Sequence, residues 1–168
     1  MTAKSYWYVL TTKPRAEKKV SEGLTKMGIL HFLPLQKQLR QWKDRKKWVD
    51  MILFNSYLFV QDTGESRNDV FAVPGVLKYL SAEGKPCMVS DEEIERIRKI
   101  CRYESELVSS REEFVSGDEV EITGGPLIGL LGRLIEKENA AYLSIQIENI
   151  GYAVSFKIDK GLVKKIRK

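Results

Sequence analysis

Cysteine and histidine are scarce: the 168-residue chain has two of the first and one of the second. Cys87 and Cys101 lack metal-type spacing, and a single pair cannot build the disulfide framework of a small secreted domain. Both read as free, largely buried thiols. His31 lies on a strand-like segment and reads as a structural residue rather than a base. The sequence has no phosphate loop, no metal cluster and no nucleophile constellation, which argues against an enzyme and implies no cofactor and no metal. No apolar run approaches the length of a membrane span. Residues 1–13 lack a signal-peptide core, so a cytoplasmic location is expected. No internal repeat or low-complexity tract is visible.

What is present is ordinary composition with uneven charge. Hydrophobic residues make up 43% and charged residues 30%. That balance fits a soluble globular protein of one ordinary domain or two small ones. Residues 1–50 carry 12 basic against 4 acidic side chains, residues 51–112 carry 8 against 11, and residues 113–168 carry 8 against 8. The positive field therefore belongs to the first 50 residues and points to a polyanion near that end.

Local pattern supplies the elements. Tyr6 to Thr11 is aromatic and β-branched, as a strand requires. Pro14 suits a first helical turn, after which Ala16, Val20, Leu24 and Met27 share one helical face and Gly28 ends it. Ile29 to Leu39 predicts a strand interrupted by Pro34. Lys37 to Trp48 is the most basic window, bracketed at its end by Trp42 and Trp48, and separates two strand-like runs. It is expected at the tip of a long hairpin, where cations neutralise phosphates and aromatics stack on bases, or where a charged loop merely solubilises. In Met51 to Val60, Leu58 and Val60 share one strand face while Tyr57 and Phe59 share the other. Either the aromatic face is offered to a partner, or both faces are buried. A polar connection, Gln61 to Asn68, and a short helix around Asp69 to Ala72 precede the turn Val73-Pro74-Gly75 and a strand from Val76 to Leu80. Ser90 and Glu93 form a capping box ahead of Ile94, Ile97, Ile100 and Cys101, a helical stripe ending near Tyr103. Residues 104–113 are polar and read as a linker.

The stretch from Phe114 to Glu136 is the most informative. Val120 and Ile122 alternate with Glu119, Glu121 and Thr123. Gly124, Gly125 and Pro126 stop that strand, and Gly129 and Gly132 flank Leu130 and Leu131. The ordered set Gly117, Val120, Ile122, Gly125, Pro126, Gly129, Gly132 and Leu134 resembles the KOW motif of small β-barrels. Tyr142 to Ile147 and Tyr152 to Ile158 form a hairpin, and Leu162 to Ile166 closes the chain. The expected class is an α+β domain over residues 1–103, an antiparallel sheet flanked by helices, joined by the 104–113 linker to a small all-β barrel over 114–168. Alternating β-branched residues and the glycines between Gly117 and Gly151 disfavour helix in the second domain.

Over nearly its full length the chain resembles the NusG-type transcription elongation factors, with an NGN domain followed by a KOW domain of SH3-like fold. The residues that carry this are Trp7-Tyr8-Val9-Leu10, Glu17-Lys18-Lys19-Val20, Tyr57-Leu58-Phe59-Val60, Val73-Pro74-Gly75-Val76 and Val89-Ser90-Asp91-Glu92-Glu93-Ile94, followed by the KOW-like stretch. One departure is Asn55-Ser56, where the family usually has Pro before Gly or Asn ahead of the tyrosine.

The resemblance implies docking on the clamp helices of the RNA polymerase largest subunit through Tyr57 and Phe59. Arg67, in a segment matching the one that bridges to the opposite cleft wall, would add a polar contact. Lys13, Arg15 and Lys19 match the region that approaches the non-template DNA strand. Lys43, Arg45, Lys46 and Lys47 of the basic window join them as nucleic-acid candidates. The KOW domain would recruit a small-subunit ribosomal protein or the termination factor Rho, and the protein is expected to be a monomer with no membrane partner. The Leu-Phe-x-x-Tyr-Leu-Phe-Val run is closer to the specialised RfaH/UpxY-like antiterminators, which serve long operons such as those for surface polysaccharides. The alternatives are a housekeeping factor of the same family and a ribosome-associated KOW protein that binds RNA.

Overall fold

The computed structural model describes residues 5–62, 68–103, 107–111, 117–147 and 149–166. Its contacts divide the chain into two compact units, residues 1–35 with 54–94, and residues 36–53 with 95–168.

The first unit is built on β1 (Tyr6–Thr12), α1 (Glu17–Lys26) and β2 (His31–Phe32). The helix begins after Pro14 rather than at it, because Arg15 holds φ at 63° and breaks the helical run. Strands β3 (Leu35–Gln41) and β4 (Lys46–Ile52) come next in the chain and form a separate two-stranded hairpin almost wholly within the second unit. Then follow β5 (Tyr57–Asp62), a single 3₁₀ turn at Asp69–Ala72, and β6 (Val76–Tyr79). A small hairpin of β7 (Ser81–Ala82) and β8 (Lys85–Pro86) precedes β9 (Met88–Val89) and α2 (Asp91–Cys101). Strand order is β2-β5-β1-β6, with β9 also on β1, and every pairing is antiparallel.

Both faces of that sheet are covered. On one side Tyr8, Leu10, Leu58 and Val60 pack against Val20 and Leu24 of α1, with Val70, Val73 and Tyr79. The period of two then puts Val9 and its cross-strand partner Phe59 on the other side. There Phe59 stacks on Phe32 at 6.0 Å between ring centroids and meets Phe54 edge-on at 6.4 Å. Phe59 is 0% exposed, so of the two readings of this strand the structure has the one in which both faces are buried. The Ser90 half of the capping box forms as expected: Glu93 N–H donates to Ser90 Oγ at 3.1 Å. Trp7 Nε1–H donates to Asp91 Oδ1 at 2.8 Å and holds the start of α2 to β1.

In the second unit β10 (Val108–Arg111), β11 (Asp118–Ile122), β12 (Leu131–Lys137), β13 (Ala140–Ile147), β14 (Tyr152–Lys157) and β15 (Val163–Lys165) form one antiparallel sheet. Their order is β10-β14-β13-β12-β11-β15. Val120, Ile122, Leu143, Ile145, Ile147, Val154 and Phe156 are among its buried side chains. Part of the polar segment read as a linker is therefore a strand: residues 108–111 pair with 152–155 through their backbone. Gln36, 3% exposed, donates through its amide to Tyr103 O and accepts from Leu107 N–H.

Truncation tests the aromatic layer. Phe59→Ala should lower unfolding free energy by about 3–5 kcal/mol, read as a shift of the urea midpoint; an unshifted midpoint would mean the ring is not packed.

Candidate functional site

Tyr57 opens β5 and is half-buried, while Phe59 two residues on is wholly enclosed. The turn in front of Tyr57 is Asn55-Ser56, and Ser56 adopts φ of 65°. A left-handed serine costs roughly 1–2 kcal/mol, so something must hold it. Glu17, in the first turn of α1 and 2% exposed, provides the hold. Its Oε1 accepts the Ser56 N–H at 2.7 Å, Ser56 O accepts from Thr12 N–H at 2.9 Å, and Tyr57 N–H donates to Phe54 O at 3.3 Å. The second oxygen, Oε2, is enclosed without a hydrogen-bond partner. The carboxylate thus replaces the local stiffness that a Pro-Gly pair would give. Sequence inspection placed Glu17 in a family signature without seeing that role; its one legible signal was an acidic residue at a helix start, where the dipole already favours it.

The first basic group lies at the β1–α1 connection. Lys13, Arg15 and Lys19 are exposed, and none forms an ion pair or side-chain hydrogen bond among the described residues. Lys13 N–H donates to Gly75 O at 2.9 Å, so the backbone under these cations is fixed while their charges face solvent. Arg67 lies outside the described residues.

The second basic group is the β3–β4 hairpin. Lys43, Arg45, Lys46 and Lys47 are exposed and likewise unpaired among the described residues, and Trp42 and Trp48 are exposed beside them. This hairpin and the β1–α1 connection belong to different units.

The motif residues of the second unit have distinct jobs. Val120 and Ile122 are buried in β11, and Gly125, Pro126 and Gly129 form the turn into β12. Gly117 and Gly132 are set by close approach. A Cβ at Gly117 would collide with the carbonyl oxygen of Leu134, and one at Gly132 would lie 2.8 Å from the carbonyl oxygen of Ser144. The same turn exposes Ile128, the first residue of β12, Leu131, is exposed, and Leu162 is also exposed next to Gly124.

The scarce residues are held by ordinary contacts. His31 accepts or donates at Ser21 Oγ (2.7 Å), and its Nδ1 lies 3.0 Å from Ile29 O. A carbonyl only accepts, so Nδ1 carries the proton. Burial pushes the Cys101 thiol up to about 11, with Arg102 and Arg98 acting in the opposite direction, which leaves it protonated and weakly nucleophilic near neutrality.

Two substitutions separate the parts of the turn. Glu17→Ala should cost about 1.5–3 kcal/mol, and Ser56→Gly should stabilise by roughly 1 kcal/mol, both by urea denaturation. A neutral Glu17→Ala would remove the carboxylate from the account.

A family model described as transcription termination factor nusG matches residues 5–98, which span β1 to α2. The termination/antitermination protein NusG of Pasteurella multocida is 25% identical over 177 aligned residues, covering 98% of this chain and 97% of that protein. The corresponding protein of Chlamydia trachomatis is 27% identical over 157 residues and 86% of each chain. A solved structure described by its domain interaction, that of Thermotoga maritima NusG, covers 98% of both chains at 27% identity with a TM-score of 0.55. No described helix is long and apolar enough to cross a membrane. With more than half its length matched by the family model, the chain belongs to the NusG family.

Proposed function

We propose that this protein is a non-enzymatic transcription elongation factor of the antitermination type, acting as a cytoplasmic monomer on RNA polymerase. Residues 1–103 form the polymerase-binding NGN module and 114–168 a KOW barrel. Tyr57 contacts the clamp helices of the largest subunit, with Phe59 supporting it from the interior and Arg67 adding a polar contact. Lys13, Arg15 and Lys19 neutralise phosphates of the non-template strand, and Lys43, Arg45, Lys46 and Lys47 serve nucleic acid on the hairpin. The exposed apolar group of Ile128, Leu131 and Leu162 in the KOW module recruits a second protein, a small-subunit ribosomal protein or Rho. A binder of this kind speeds elongation only through higher affinity for the active polymerase than for the paused one.

The observation that carries this reading is the family match over residues 5–98, which includes every residue assigned to polymerase or nucleic acid. The longer Leu-Phe-x-x-Tyr-Leu-Phe-Val run of residues 53–60 supports operon-specific antitermination. The names of the Pasteurella and Chlamydia relatives support the housekeeping reading equally, and coupling to Rho or the ribosome then takes the place of operon choice.

In-vitro transcription on a pausing template, with and without Rho, tests this. Pause lifetimes should shorten, and Tyr57→Ala should abolish the effect without loss of fold by circular dichroism. Enhanced Rho termination would select the housekeeping reading. Unchanged pausing and unchanged termination would overturn both.

A further inference from the structure

Tryptophan on a solvated loop needs a reason. The β3–β4 hairpin exposes Trp48 at 65% and Trp42 at 56%, whereas the third tryptophan, Trp7, is buried. Charge alone keeps a loop soluble, and large exposed aromatics work against that purpose.

The geometry of the hairpin distributes these rings. Trp42 N–H donates to Arg45 O at 2.8 Å, leaving Lys43 and Asp44 as the loop. The two strands have seven residues each. Equal lengths closed at that pair put Gln41 across from Lys46, Leu39 across from Trp48, and Lys37 across from Asp50. Alternation then gives one face Lys37, Leu39, Gln41, Lys46, Trp48 and, at its far end across from Lys37, Asp50, and the other Arg40, Trp42, Arg45 and Lys47. Each face thus carries one indole beside cations. Arg40 Nη2 is held by Gln38 Oε1 at 2.9 Å, while Lys43, Arg45, Lys46 and Lys47 have no partner among the described residues.

We propose that this ribbon is a clamp for single-stranded nucleic acid, with unpaired bases stacked on Trp42 and Trp48 and phosphates held by the lysines and arginines between them. The proposal rests on the nucleic-acid part of the function given above and names its ligand class. An indole face matches a base face, and only a single strand offers base faces. A duplex presents edges, and indole brings a lone N–H donor with no acceptor to read them. An acidic protein surface would use the cations and leave both rings without a match.

The full chain, titrated into fluorescein-labelled oligo(dT), oligo(rU) and a duplex of equal length, provides the test by anisotropy. Single strands should bind more tightly than the duplex. Trp42→Ala and Trp48→Ala should each weaken single-strand binding about tenfold, leave duplex binding unchanged, and be rescued in large part by Trp→Phe. A preference for oligo(dT) would assign the clamp to DNA, and one for oligo(rU) to the transcript. Equal affinity for the duplex, or alanine variants that bind single strands as wild type does, would overturn the proposal. Co-precipitation of polymerase with the same variants should be retained. Oligonucleotide binding that persists in a chain unable to bind polymerase would leave the clamp standing and remove only the docking reading.

Discussion

The constraint on which the first unit depends is the double burial of β5. Leu58 and Val60 are packed toward α1, and Phe59 is enclosed on the opposite side by Phe32 and Phe54. Aromatic pairs add about 0.5–1.5 kcal/mol to the gain from burial. That grip holds the strand between β2 and β1 and fixes where Tyr57 emerges. The same strand begins at a turn that relies on one buried carboxylate. Helix α1, sheet and turn are therefore not independent parts: Glu17 ties the helix start to the segment that presents Tyr57.

This arrangement changes the meaning of the aromatic strand. A fully enclosed Phe59 contributes rigidity, and the half-buried Tyr57 is the ring with surface to offer. Rigid presentation lowers the conformational cost of binding, which is where interfaces of modest area gain affinity. The basic surfaces follow the same division of labour. Backbone hydrogen bonds fix Lys13 and the tip of the β3–β4 hairpin, and the charges above them remain unpaired among the described residues.

Much of this was legible before any coordinates. Val120 and Ile122 alternate because one face of β11 is buried, the capping box of Ser90 and Glu93 announces α2, and the run from Lys37 to Trp48 forms a hairpin. Other features left no trace. Strand β10 carries Ser109, Ser110 and Arg111, and an edge strand pairs through backbone groups that every residue has. Periodicity in β5 specified two faces but not that Phe59, on the aromatic one, would be wholly enclosed. Glu17 resembled any surface glutamate at a helix start, since its burial is created by a turn nearly forty residues away in sequence. Gly117 and Gly132 were visible as motif glycines, yet their reason, a neighbouring carbonyl too close for a Cβ, is purely tertiary.

Calorimetric titration of the whole protein with the isolated coiled coil of the polymerase largest subunit tests the central claim most directly. The account predicts saturable one-to-one binding that Tyr57→Ala weakens by at least tenfold, as for a central interface aromatic costing about 2 kcal/mol or more. No heat of binding, or binding indifferent to Tyr57, would contradict it.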